Sequence, residues 1–109
     1  MVYKVVLIFD LVEGMADEEL KRSQEENSFP NLLAQQPGFV SYELVKINES
    51  KTLSIQTWAT EQAWWAALGA AREQSERIAN DPARENILVS RDFLGGWVQA
   101  QRSPTTASV

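Results

Sequence analysis

Six side chains carry the chemistry that this sequence could perform: Ser23, Asn27, Tyr42, Trp58, Trp64 and Arg91. Trp58 closes a β-rich run, and Trp64 opens the apolar stripe of the helix that follows it. Two indoles so placed can wall a flat slot for a planar aromatic ligand, or they can fill a core. Arg91 and Asp92 are neighbours in a strand, so they point to opposite faces. Arg91 is the guanidinium expected on a sheet face, where its planar fork could hold an anionic oxygen. Ser23 and Asn27 fall on one helical arc with Ala16, Leu20 and Gln24. An inner helical face is normally apolar over roughly 100°, yet three residues of this arc are polar and uncharged. That composition describes the wall of a hydrated or ligand-filled cavity. Buried hydroxyls and amides also bond routinely to backbone, so both readings stand. Tyr42 adds a phenol on the next strand.

What the sequence lacks narrows the chemistry further. The 109 residues include no His and no Cys. This removes the commonest general base, the commonest metal ligand and every thiolate nucleophile. Only carboxylates, amides and carbonyls remain for a metal, and they suit Mg²⁺ or Ca²⁺ at best. No metal site and no cofactor are therefore expected. There is no Gly-x-Gly-x-x-Gly and no phosphate loop; Gly95-Gly96 stands late in a strand and opens no helix. The carboxylates Asp17-Glu18-Glu19 and Glu25-Glu26 are expected in a helix's first turn or on its outer arc, solvated. A net charge of −5 without any Lys/Arg run argues against nucleic acid.

No apolar run approaches the roughly 20 residues needed to cross a bilayer, so no membrane partner is expected. The stretch Met1–Asp10 lacks a basic lead-in and is interrupted by Asp10, which fits a buried strand rather than a leader. A cytoplasmic protein is the expectation.

The elements that must position these residues follow from periodicity and turn chemistry. Strands are expected over Tyr3–Leu11, Phe39–Ile47, Thr52–Trp58 and Ile87–Gln99. Helices are expected over Ala16–Asn27 and Glu61–Asn80, with a short helical turn at Asn31–Gln35. The order gives two β-α-β halves, an α+β split β-α-β plait of ferredoxin-like type with a four-stranded antiparallel sheet. One domain spans 1–101, and the tail 102–109 is expected to be disordered.

The first strand is apolar on both faces, with Tyr3, Val5, Leu7, Phe9 and Leu11 on one and Val6 and Ile8 on the other. Helices can cover only one face. Packing two sheets face to face across a two-fold axis covers the other, so a homodimer is expected. Gly95-Gly96 would permit a bend or bulge letting the last strand reach the partner.

One segment goes beyond fold class. Pro37-Gly38-Phe39 starts a strand, a second strand ends in Trp58, and a helix opens at once with Thr60-Glu61-Gln62-Ala63. This pattern resembles the antibiotic-biosynthesis-monooxygenase-like family of dimeric α+β barrels. The resemblance implies that two ferredoxin-like sheets pair as a barrel, each chain binding a small molecule between sheet and helices. Heme degradation, one activity of that family, does not transfer: its axial His has no counterpart and the first strand has no Asn. What the resemblance does imply is cofactor-independent monooxygenase chemistry on a small planar phenolic, quinol or polyketide-like substrate. A bound phenol, anthrone or quinol loses a proton, and its stabilised anion passes an electron to O₂. Tyr42, Asp10 or water would take the proton. The rival readings are a non-catalytic small-molecule-binding dimer and an isomerase or lyase on the same scaffold.

Overall fold

The computed structural model describes residues 2–79 and 85–104, apart from the side chains of 74–79. The elements are β1 (Tyr3–Leu11), α1 (Ala16–Arg22), α2 (Phe29–Ala34), β2 (Phe39–Asn48), β3 (Lys51–Trp58), α3 (Glu61–Ala79) and β4 (Leu88–Trp97). The four strands form one antiparallel sheet in the order β2-β3-β1-β4. This is the expected α+β, ferredoxin-like arrangement. Arg102–Pro104 are exposed without regular structure, and 105–109, like the last residue expected for the long helix, lie outside the described residues.

Local chemistry sets the joints. The Asn48 side-chain oxygen accepts from the Ser50 amide at 2.8 Å and closes the β2–β3 hairpin. Gly38 sits at φ +85°, and a Cβ there would meet the Ala63 Cβ at 2.5 Å. Only glycine lets the strand start pass beneath α3 at that point. The Thr60 hydroxyl accepts from the Ala63 amide at 3.1 Å, so Thr60 caps α3 as its position suggests.

Helix α1 ends five residues before its expected end at Asn27. The reason is local competition for backbone groups. Ser23 Oγ donates to the Leu20 carbonyl at 2.6 Å, and Ser28 Oγ donates to the Ser23 carbonyl at 2.8 Å. Ser28 then caps α2, with Pro30 in its first turn. Gln24 and Asn27 therefore lie in an exposed connection rather than on an inner helical face.

The core lies between the sheet and α2 and α3, where Val5, Leu33, Trp58, Trp64, Ala67 and Ala71 are buried. β3 contributes a polar inner row, Thr52, Ser54 and Gln56, that is fully buried. Trp58 Nε1 donates to Gln56 Oε1 at 3.1 Å, and Gln56 Nε2 donates to Ser54 Oγ at 3.4 Å. Ser54 and Gln56 are satisfied in this way, whereas the Thr52 hydroxyl finds no partner among the described residues.

Register along β1–β4 is unbroken through Gly95 and Gly96; the irregularity lies at Asp10/Leu11 instead. A Cβ at Gly95 would collide with the Tyr3 hydroxyl, so this glycine makes room for a ring and not for a bend. The sheet's far face carries Val6 and Ile8 between Ile55 and Leu53 on one side and Leu94 and Asp92 on the other. Val45 and Leu94 on that face are exposed.

Candidate functional site

The inner faces of β1 and β4, helix α3 and the segment from α1 to α2 enclose a cavity of about 790 Å³. Its α3 side is aromatic because the 3.6-residue period brings Trp64, Leu68 and Arg72 to the sheet side, with Trp65 beside them. Trp64 is 1% exposed, and its Nε1 finds no acceptor among the described residues, so packing alone holds the ring. Trp65 is held otherwise: its Nε1 donates to Glu61 Oε2 at 3.1 Å, and its ring meets Phe93 edge-on at 5.8 Å. Phe39, Trp58, Trp64, Trp65 and Phe93 thus form one row of contacting rings from the core to the cavity's exposed side.

The floor is Leu7 and Phe9 from β1 with Arg91 and Phe93 from β4. Arg91 faces inward because it pairs with Phe9, an inner-face residue, across the β1–β4 ladder. Its guanidinium has no hydrogen-bond or ion-pair partner among the described residues.

The opposite wall is polar. Glu19, Arg22 and Ser23 come from α1 and its cap, and Asn27 and Ser28 from the connection to α2, whose first residue Phe29 adjoins them. Arg22 Nε donates to Glu18 Oε1 at 3.1 Å, and its Nη1 donates to the Glu85 carbonyl at 2.8 Å. The second of these bonds ties α1 to the segment leading into β4.

Tyr42 enters from β2, with its hydroxyl hydrogen-bonded to Ser54. Burial pushes the phenol up to about 12, with the nearby Glu19 charge adding to the rise against the Ser54 bond. Tyr42 consequently stays protonated at any physiological pH, so it can donate a hydrogen bond but not take a proton. Asp10 is engaged elsewhere, accepting from Ser90 Oγ at 3.1 Å and pairing with Lys51 at 3.5 Å. It does not line the cavity. Neither residue fits the role of proton acceptor expected from sequence.

No protein-family model matches the chain, and no curated protein matches it. Solved structures do. The cofactor-independent oxygenase SnoaB of Streptomyces nogalater superposes with a TM-score of 0.68 at 18% identity, over 95% of this chain and 98% of that one. The ActVA-Orf6 monooxygenase of Streptomyces coelicolor, solved with nanaomycin D, gives 0.68 at 14% identity over 94% and 92% of the two chains. MhuD, solved with manganese protoporphyrin IX, gives 0.69 at 17% identity over 95% and 100%. The chain has the antibiotic-biosynthesis-monooxygenase-like fold.

Within this monooxygenase-like fold, five of the six residues singled out by sequence surround one cavity: Ser23, Asn27, Tyr42, Trp64 and Arg91. Trp58 does not. It is 0% exposed, behind Trp64, with its N–H committed to Gln56, so it belongs to the core. Ser23 lines the cavity while its hydroxyl serves the Leu20 carbonyl, which is the backbone-bonding reading of that residue. Sequence reasoning missed Trp65, Phe93 and Glu19. Phe93 alternates with Arg91 on β4 and could have been placed by parity alone. Glu19 lies four residues before Ser23, only about 40° away around a helix, yet its charge assigned it to the outer arc. The fully buried Ala16, three residues earlier, was the signal that this side of the helix faces the sheet.

Proposed function

We propose that the protein is a cofactor-independent monooxygenase that acts on a small planar phenolic, quinol or polyketide-like substrate in this cavity. The observation that carries the proposal is that one cavity combines an aromatic wall, a phenol that burial keeps protonated and an arginine with no partner among the described residues. A flat ring gains aromatic contact area against the exposed Trp65 and Phe93. Charge developing on its oxygen would meet the Tyr42 hydroxyl and the Arg91 guanidinium, two donors of the cavity. For an anthrone the overall change is balanced by O₂ alone. The CH₂ becomes C=O with one oxygen atom, and the second leaves as water with both hydrogens. SnoaB and the ActVA-Orf6 monooxygenase share the fold and are described by related activities, which favours this reading.

The far face of the sheet supports a second part of the proposal, that the working form is a homodimer. Val6, Ile8, Leu53 and Ile55 form the centre of that face, and Leu94 on it is 69% exposed. An apolar sheet face of this kind is covered most simply by a second copy. Sedimentation equilibrium at low micromolar concentration should give a dimer, and Ile8→Asp should dissociate it.

Oxygen uptake tests the activity. Protein treated with a chelator should consume O₂ in the presence of 1,8-dihydroxyanthrone or a quinol faster than buffer does. Tryptophan quenching by these compounds without any added O₂ consumption, across the panel, would leave the ligand-binding dimer as the reading.

A further inference from the structure

An anthrone or phenol cannot lose a proton without an acceptor, and the placements of Tyr42 and Asp10 leave that role to water or to another carboxylate of the cavity. We infer that the carboxylate of Glu19 is the proton acceptor of the cavity. The inference rests on the substrate class proposed above, and it assigns to a single atom group the step that precedes any reaction with O₂.

Three carboxylates line the cavity: Glu19, Glu25 and Glu85. Glu25 and Glu85 are exposed, whereas Glu19 is partly buried. Its position is fixed from both ends of α1. At the N-terminal end Ala16 is fully buried and its amide donates to the Glu49 carbonyl at 2.9 Å, which docks the helix on the β2–β3 hairpin. At the C-terminal end Arg22 is held by Glu18 and by the Glu85 carbonyl. The buried Ala16 and these bonds set the rotation of the seven-residue helix, and Glu19, three residues after Ala16, lies on the sheet side.

Across the cavity the Tyr42 phenol feels the Glu19 charge, which places the two groups in one electrostatic space. They then have complementary tasks. Glu19 is an acceptor, and Tyr42 is a donor that keeps its proton.

The step needs no oxidant. A C–H bond of the anthrone methylene breaks, and its proton forms an O–H bond with a Glu19 carboxylate oxygen. The electron pair moves through the ring system to the carbonyl oxygen, where the Tyr42 hydroxyl and the Arg91 guanidinium stabilise the negative charge. In water an acid of about 10 holds its proton against a glutamate of about 4.3. Stabilisation of the oxyanion by those two donors is therefore required for Glu19 to work.

The test separates this step from oxygenation. Exchange of the methylene hydrogens of 1,8-dihydroxyanthrone is followed by NMR in anaerobic D₂O, with occupancy measured in the same samples by tryptophan quenching. The native protein should accelerate exchange over buffer. Glu19→Gln should lower the rate per bound ligand by about 100-fold or more at unchanged occupancy, and Glu19→Asp should fall between. Glu26→Gln, at an exposed position in the connection from α1 to α2 and outside the cavity, should match the native protein. Glu19→Gln exchanging as fast as the native protein at equal occupancy would overturn the assignment while leaving the oxygenase reading intact. Glu19-dependent exchange without O₂ uptake would establish the acceptor and remove the oxygenase. Absence of binding would overturn both.

Discussion

The two helical walls of the cavity are held in place by different forces. Along α3 the wall is packing: Trp64, Ala67 and Ala71 are buried in a continuous stripe, and the rings of Trp64 and Trp65 meet at 6.2 Å. Along α1 and the connection to α2 the wall is hydrogen bonding. Ser23, Ser28 and Asn31 each place a side-chain group on a backbone carbonyl of this segment, at 2.6, 2.8 and 2.7 Å. Packing energies are large and shared among many contacts, whereas a single intramolecular hydrogen bond is worth about 1 kcal/mol. The α3 wall is therefore where stability is concentrated. The α1 wall can carry acid–base chemistry because little of the fold depends on any one of its side chains.

Substitutions can break that contrast or sharpen it. The largest effect is expected at Trp64. Trp64→Ala removes a buried indole and should cost about 3–5 kcal/mol, read as a lower midpoint in denaturant; a change below 1 kcal/mol would place Trp64 outside the core.

Tyr42, facing both walls, should show itself at alkaline pH. Its folded-state value is raised above the ordinary 10 to about 12. The folded protein thus holds the proton that the unfolded chain releases, and stability falls as pH rises from 10 to 12. The native protein should lose up to about 3 kcal/mol over that window, and Tyr42→Phe should abolish that component of the loss.

Arg91→Met should leave the fold nearly unchanged, since the guanidinium has no partner among the described residues. It should weaken an anionic aromatic ligand by about 1.5–3 kcal/mol, as the loss of a charged hydrogen bond does, and titration by tryptophan quenching would read this. Smallest of all is Asn27→Leu. Asn27 is exposed in a connection, so stability should move by no more than about 0.5 kcal/mol.

The same contrast explains what the sequence made legible. The α3 wall was readable because apolar residues at helical spacing permit only one rotation, and Thr60 marks where that helix begins. The strands were readable from their alternation, and Pro37-Gly38 marked the entry to β2. The α1 wall was read poorly. A run such as Ser23-Gln24-Glu25-Glu26-Asn27-Ser28 suits a helix by charge spacing, yet its hydroxyls capture carbonyls and end the helix at Arg22. Glu19 is charged, which points to solvent, and its place on the sheet side follows only from the burial of Ala16 in the structure. The inner row Thr52, Ser54 and Gln56 was also hidden. Polar residues in alternation look like an outer face until the neighbours are known, here Trp58 donating to Gln56.

A structure of the protein with 1,8-dihydroxyanthrone bound under anaerobic conditions tests the central claim most directly. The ring system is expected between the two walls, in contact with Trp65 beside the buried Trp64. Its oxygens should lie within hydrogen-bond distance of Tyr42 and Arg91, with its methylene toward Glu19. A ligand seated instead on the far face of the sheet, or in the cavity with its oxygens turned away from Tyr42 and Arg91, would contradict it.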